Sequence, residues 1–371
     1  MPLSMREEVT RRRDTPKAPM LLAAALGVAA LLGPAPGIAA EYEMIIGHMV
    51  PEDIADNEIA AAMGHFKQLV ESATGGAIEV KPFGNGQLGS EVEMGQQTQE
   101  GVAMQSTVIS SGAAASFYKN YQIVATPFLF PNYSTAWAFF DSEWFAGFMD
   151  GFRTEAGLRY LGTLDDLGGF VAFTNNKRPI RTLEDIEGLV IRTEENPAHL
   201  ATMQALGASG VPLPWAEVHT ALATGLADGQ FNAPGVSKSF KLWEVQDYTT
   251  WSGHVYNTTN WFVSEAWFSQ LPEEYQTIIL RSAREATELA HGVAAQGAVI
   301  GWIESCKQFK ECIILSDAEK ARMRDITRPA FKEWITTDFG VDEALVDELW
   351  GKVDEIAAQI DERAVEVYGR K

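Results

Sequence analysis

An arginine ends the apolar run Gly188-Leu-Val-Ile-Arg192. A guanidinium carried by a buried strand must meet an anion, and its planar fork matches a carboxylate through two parallel hydrogen bonds. That anion is either an internal aspartate or glutamate or a carboxylate brought by a ligand, and the residues alone leave both open. Asn232 closes a second strand, punctuated by glycine in Asp228-Gly-Gln-Phe-Asn232, and offers an amide donor to the same anion. Trp215 follows Pro212-Leu-Pro at a helix start, where an indole serves either as an apolar wall for a ligand or as core. His48, at the end of the first strand, is the histidine placed nearest to such a site. The six histidines are otherwise scattered and give no metal-ligand spacing.

Other chemistries lack their residues. There is no G-x-S-x-G elbow, no H-E-x-x-H helix and no phosphate loop. The adjacent acids Asp165 and Asp166 support a hydrolase only feebly, so no enzymatic activity is expected. Gly84-Asn-Gly-Gln-Leu-Gly89 spells G-x-G-x-x-G, but it does not follow the first strand, and Glu100 matches the ribose-binding acid loosely. We read it as a glycine turn that aims a helix N-terminus at a cleft, and expect no cofactor. Cys306 and Cys312 pair in an oxidising compartment if the helix carrying the first ends before the second; an unpaired, buried thiol pair is the alternative. No second pair completes a zinc site, and no metal is expected.

The elements that must position these residues follow from periodicity. Residues 1–40 carry Arg11-Arg12-Arg13, an apolar run from Met20 to Leu32, and small residues before Glu41. This pattern reads as a secretory signal peptide cleaved after Ala39 or Ala40, because the run is shorter than the ~20 residues of a membrane helix. About 330 residues remain, enough for two lobes with separate cores. Export removes five basic and three acidic side chains, taking the net charge from -21 to -23, a balance that repels nucleic acid. Strand and helix then alternate: Tyr42 to His48, a helix from about Asp56 to Ala73, Ala77 to Phe83, and a helix capped by Ser90. Further strands are Leu158–Gly162, Gly169–Thr174 and Leu189–Thr193; an unbroken helix runs from about Pro272 to Ile303. The tail from Ser316 to Tyr368 is helical, with Trp334, Phe339 and Trp350 as packing anchors. This predicts an α/β fold with largely parallel strands. Without a linker or internal repeat, the lobes must interleave.

Several segments together resemble the periplasmic solute-binding subunits of TRAP transporters, the DctP-type family, over essentially the whole mature chain. They are Gly86-Gln-Leu-Gly89, Thr126-Pro-Phe-Leu-Phe130, Asn176-Lys-Arg-Pro179, Gly188 to Arg192, Trp215-Ala-Glu-Val218 and Asp228-Gly-Gln230 with Asn232. The resemblance implies a two-lobed, type II-like periplasmic binding fold with hinge strands and a long helix spanning both lobes. It implies that Arg192 clamps a ligand carboxylate, with Asn232 and Trp215 lining the cleft. Sugar-acid-binding members carry a second arginine where this chain has Ala172. The local likeness is to the ectoine-binding branch, but the acid that follows the first-strand histidine there is Met49 here, with Glu52 and Asp53 close by as candidate substitutes. The interleaving predicts lobe I over 41–169 and 258–296, lobe II over 170–257 and 297–371, and a hinge at Gly168-Gly169 and Gly253 to Tyr256. The expected role is capture of a small carboxylate-bearing solute by a periplasmic monomer that delivers it to a membrane permease. The ligand is expected to be a monocarboxylic acid or a zwitterionic osmolyte. A C4-dicarboxylate ligand and service to a membrane sensor are the alternatives.

Overall fold

The computed structural model describes residues 40–55 and 57–369. The signal-peptide reading, its last residue excepted, lies outside the described residues. Among them no helix is long and apolar enough to cross a membrane.

Nine strands build one sheet: β1 (Tyr42–Gly47), β2 (Ile78–Phe83), β3 (Ser106–Ser110), β4 (Leu158–Asn175), β5 (Val190–Thr193), β6 (Ser209–Pro212), β7 (Gly229–Asn232), β8 (Tyr248–Ser264) and β9 (Glu311–Ile314). Their order is β2-β1-β3-β8-β4-β7-β5-β6, with β9 beside β8. One wing, β1 to β3, is parallel, as is the other, β5 to β7. The centre departs from the expected parallel sheet, since β8 pairs antiparallel with both β3 and β4, and β4 with β7.

The reason lies in β4. Leu158–Gly162 and Gly169–Thr174, read from sequence as two strands, form one 18-residue strand. Its continuity survives a bulge at which Leu167, Gly168 and Gly169 take φ of 49°, 116° and 68°, and the register against β8 shifts between Asp165 and Phe170. Space as well as φ demands glycine here. A Cβ on Gly168 would lie 2.7 Å from the Ala298 Cβ, and one on Gly169 would lie 2.6 Å from the Tyr256 ring. In β8 the corresponding break is Gly253 at φ 61°. Two long strands thus cross from wing to wing, each with a glycine break, in the two-lobed α/β fold expected.

Helices cover both wings. Helix Glu58–Ala73 is capped by the Asn57 side chain and buries Ile59, Met63, Phe66 and Val70, one stripe at helical spacing. Phe66 meets Trp261 edge-on at 4.6 Å. Helix Glu91–Glu100 opens with a Ser90–Glu93 capping box. Helix Glu273–Cys306 has 34 residues, about 50 Å at 1.5 Å per residue. Its buried stripe is small (Ala283, Ala286, Ala290, Ala294, Ala298, Gly301), so it lies close to both wings. A Cβ on Gly301 would stand 2.7 Å from the Gly235 nitrogen in the second wing's helix Pro234–Ser239. The tail then crosses back. Helix Asp317–Glu333 packs on helix Pro197–Ala205 of the second wing, whereas Val346 and Leu349 of helix Glu343–Tyr368 join the core around Phe139 and Phe145. Trp350 there donates to Thr126 Oγ1 at 3.1 Å, so 297–371 does not remain within one lobe.

The long helix ends at Cys306 and Cys312 sits in β9, which brings the two Cα atoms to 5.6 Å and closes a disulfide. A bridge over so short a loop stabilises by about 2 kcal/mol through the unfolded chain. Replacing both cysteines with alanine is therefore expected to lower the urea midpoint by that equivalent while leaving the far-UV spectrum unchanged.

Candidate functional site

Alternation along β5 sends Ile191 into the core and Arg192 to the other face. Arg192 is only 3% exposed. Its Nε and Nη2 both donate to the Leu213 carbonyl, at 3.0 and 2.6 Å. Leu213 follows β6 between Pro212 and Pro214, whose fixed φ keeps this backbone extended. The guanidinium carbon lies 5.7 Å from the Trp215 ring, within cation–π range. Burial pulls the arginine below its usual pKa, and Glu194, Glu91, Asp166 and Glu195 oppose that shift.

All four of those acids face the same space, Glu195 from an exposed position at its edge. Glu91, at the start of its helix, accepts from the Ser110 amide at 2.6 Å and the Ser110 hydroxyl at 2.9 Å. Burial raises its pKa; those bonds and Arg192 hold it down. Asp166 is pushed up to about 7, first by burial and then by Glu91. Glu194 is pushed up to about 8 by burial, then by Asp166 and Glu91. It reaches from the second wing to Gly112 in the first, where a Cβ would lie 2.5 Å from its Oε2. Its neighbour His199, 3.7 Å away, is held neutral: burial and Arg192 depress it to about 3.

These groups enclose a cavity of about 270 Å³ between the Asn85–Ser90 turn and the Arg192–Trp215 wall. It continues into a space of about 50 Å³ reaching Asn232, Phe240 and Thr259. Asn232 donates to Gln230 Oε1 at 2.6 Å, and the Thr259 hydroxyl, in a residue 6% exposed, has no hydrogen-bond partner. Arg192, Trp215 and Asn232 thus meet as the sequence suggested.

His48 and Glu52 stand apart from that lining. His48 is buried under the Gly84 turn with Glu52 Oε1 3.4 Å away, while Met49 and Val50 line the space. Burial lowers the His48 pKa against the pull of Glu52. Trp261 is core, Trp251 packs on Trp302 and Trp243 on Phe309, and Trp215 is the tryptophan among the described lining residues. Lys177 pairs with Asp228, and Arg178 donates to the Asp185 and Glu187 carbonyls, so Arg192 is the one cation among the described lining residues. Ala172 is buried opposite Asn232 in the β4–β7 register.

The hydrolase reading of Asp165-Asp166 fails on geometry. Neighbours in a strand point to opposite faces. Asp165 accepts from Trp137, Tyr256 and His291, away from the cavity. Glu91 and Glu194 were missed, although Glu194 stands two places after Arg192, just beyond the end of β5.

Fold and cavity together define a two-lobed solute-binding protein. The chain belongs to the bacterial extracellular solute-binding protein family 7, whose model matches residues 46–337, a family of transporter binding subunits and not of enzymes. A solute-binding protein of Verminephrobacter eiseniae is 34% identical over 228 residues, 62% of this chain and 67% of its own. The ectoine/5-hydroxyectoine-binding periplasmic protein UehA of Ruegeria pomeroyi is 28% identical over 265 residues, 70% of this chain and 76% of its own. A crystal structure of a TRAP periplasmic solute-binding protein from Desulfovibrio salexigens, with bound orotic acid, superposes with a TM-score of 0.79 at 26% identity. That likeness covers 85% of this chain and 99% of the other.

Glu194 yields a pH signature. Its folded pKa of about 8 lies above the unfolded value near 4.5. Its contribution to stability is therefore intact below pH 4.5 and is lost as pH rises through 8. Glu194→Gln removes that loss. The variant is expected to gain on the wild type between those limits, by about 3 to 5 kcal/mol at the alkaline end. Urea titrations at pH 5 and pH 9 measure the gap; a constant gap contradicts the assignment.

Proposed function

We propose that this protein is the periplasmic subunit of a TRAP transporter that captures a small solute through a single carboxylate on Arg192 and delivers it to the membrane permease. The observation that carries the reading is a buried guanidinium whose only described hydrogen bonds go to a carbonyl, facing a cavity of about 270 Å³ beside Trp215 and near Asn232. Such an arginine has donors left for an incoming carboxylate. A dicarboxylate fits less well, because burying a second carboxylate without a cation costs several kcal/mol. Two of the relatives bind solutes with one carboxylate, ectoine being a zwitterion and orotate a monocarboxylate, whereas a DctP relative from Rhodobacter capsulatus binds C4-dicarboxylates, so the choice between them rests on the single cation of the cavity. Export through residues 1–40, action as a monomer, and closure of 41–169 with 258–296 onto 170–257 complete the proposal.

Calorimetry over organic acids, osmolytes and amino acids tests the ligand class. Tight binding of succinate, malate or fumarate alongside silent monocarboxylates and zwitterions overturns it. With any binder found, Arg192→Ala and Arg192→Lys are expected to weaken affinity from about 30-fold to several thousandfold, the equivalent of ~2 to 5 kcal/mol. Retention within a few-fold refutes the clamp. Small-angle scattering tests the hinge, because saturation with that binder is expected to reduce the radius of gyration; superimposable curves contradict closure about Gly168, Gly169 and Gly253.

A further inference from the structure

We propose that Glu91, Asp166 and Glu194 form a subsite for a cationic, N–H-bearing group opposite Arg192, so that the captured solute is a zwitterion whose positive nitrogen stands close to its carboxylate. The inference rests on the carboxylate reading of Arg192 and adds the second half of the ligand.

Three acids from three separate elements converge on one cavity: Glu91 from a helix of the first wing, Asp166 from the crossing strand β4, Glu194 from the end of β5. Three carboxylates exceed what one guanidinium balances. They are not its direct partners either, because the described hydrogen bonds of Arg192 go to the Leu213 carbonyl alone. Burial first, and after it their mutual repulsion, raises the pKa values of Asp166 and Glu194. A simple anion would add to that repulsion. A zwitterion instead brings a cation that all three attract, while its carboxylate reaches Arg192.

Unused hydrogen-bonding capacity in the same space supplies an independent observation. Among the described residues the buried hydroxyl of Thr259 on the cavity wall has no hydrogen-bond partner, and Glu194 Oε2 meets no side-chain donor, only the Gly112 backbone. Unpaired buried oxygens are costly, and an ammonium or amidinium N–H satisfies a carboxylate oxygen with a charge-assisted bond. The carboxylate oxygens require a donor, so a quaternary nitrogen serves them poorly.

The matched probes are L-proline with cyclopentanecarboxylate, L-pipecolate with cyclohexanecarboxylate, and ectoine with 3-methylcyclohex-3-ene-1-carboxylate, titrated calorimetrically into the mature protein at pH 7.5. Proline betaine tests the N–H requirement, and D-galactonate tests whether the acids read hydroxyls instead. In at least one pair the nitrogen-bearing member is expected to bind more than about tenfold tighter than its carbon isostere. Glu194→Gln and Asp166→Asn should each shrink that ratio at least about tenfold without weakening the isostere. Equal affinities within every pair, a ratio unchanged in both variants, a preference for galactonate, or silence from all nitrogen-bearing probes at millimolar concentration overturns the subsite. Arg192→Ala separates the two readings. If it spares the nitrogen-bearing probe while Glu194→Gln does not, the carboxylate clamp fails and the cation subsite stands; the reverse pattern removes the subsite alone.

Discussion

A full positive charge held almost out of water at the end of a short strand is the constraint around which this molecule is arranged. Arg192 cannot shed its proton, so burial has to be offset by fixed dipoles, by a π face and by anions. The structure uses all three. The Leu213 carbonyl takes two donors, Trp215 lies within cation–π range, and carboxylates stand farther off. Holding the carbonyl there requires the extended Pro212-Leu-Pro214 segment, which in turn requires β6 parallel to β5. Local backbone geometry in the second wing is in this sense subordinate to one side chain.

The crossing strand meets a second demand from the same place. Its alternation sends Asp165 into a network with Trp137, Tyr256 and His291, and the next residue, Asp166, into the cavity. Just beyond them the chain breaks register at Leu167 to Gly169. One short stretch therefore fastens the first-wing helix Tyr133–Phe140 to the long helix, supplies a carboxylate to the cavity, and contains the bend. A rotation at the bend would move Asp166 relative to Arg192.

Much of this was legible in the chain because local chemistry set it. The Ser90 cap and the long helix follow from capping and periodicity, whereas the meeting of Arg192 with Trp215 and Asn232 was implied by the family resemblance and the cysteine pairing was left open. The antiparallel centre was not legible, because nothing in Leu158–Gly162 or Gly169–Thr174 alone says that a bulge between Asp165 and Phe170 joins them. The tail's return to the first wing was likewise hidden, since an amphipathic helix declares a buried face but not its partner. The acids escaped for a similar reason. Glu91 and Glu194 are about a hundred residues apart in sequence, and only the fold sets both against Arg192.

That separation bears on how a trap of this kind works. Glu91 and Ser110 belong to one wing, while Arg192, Glu194, Leu213 and Trp215 belong to the other. A solute touching only one wing would bind open and closed states alike and shift nothing. A solute that engages Arg192 and the Glu91 side at once gains contacts only when the wings are together, and that difference is the free energy available for closure. Without it, Glu91, Asp166 and Glu194 are costly to ionise while they are buried together, and the proposed opening would relieve that cost. Acids that look like a defect beside a carboxylate-binding arginine thus give the cleft a reason to stay open when empty.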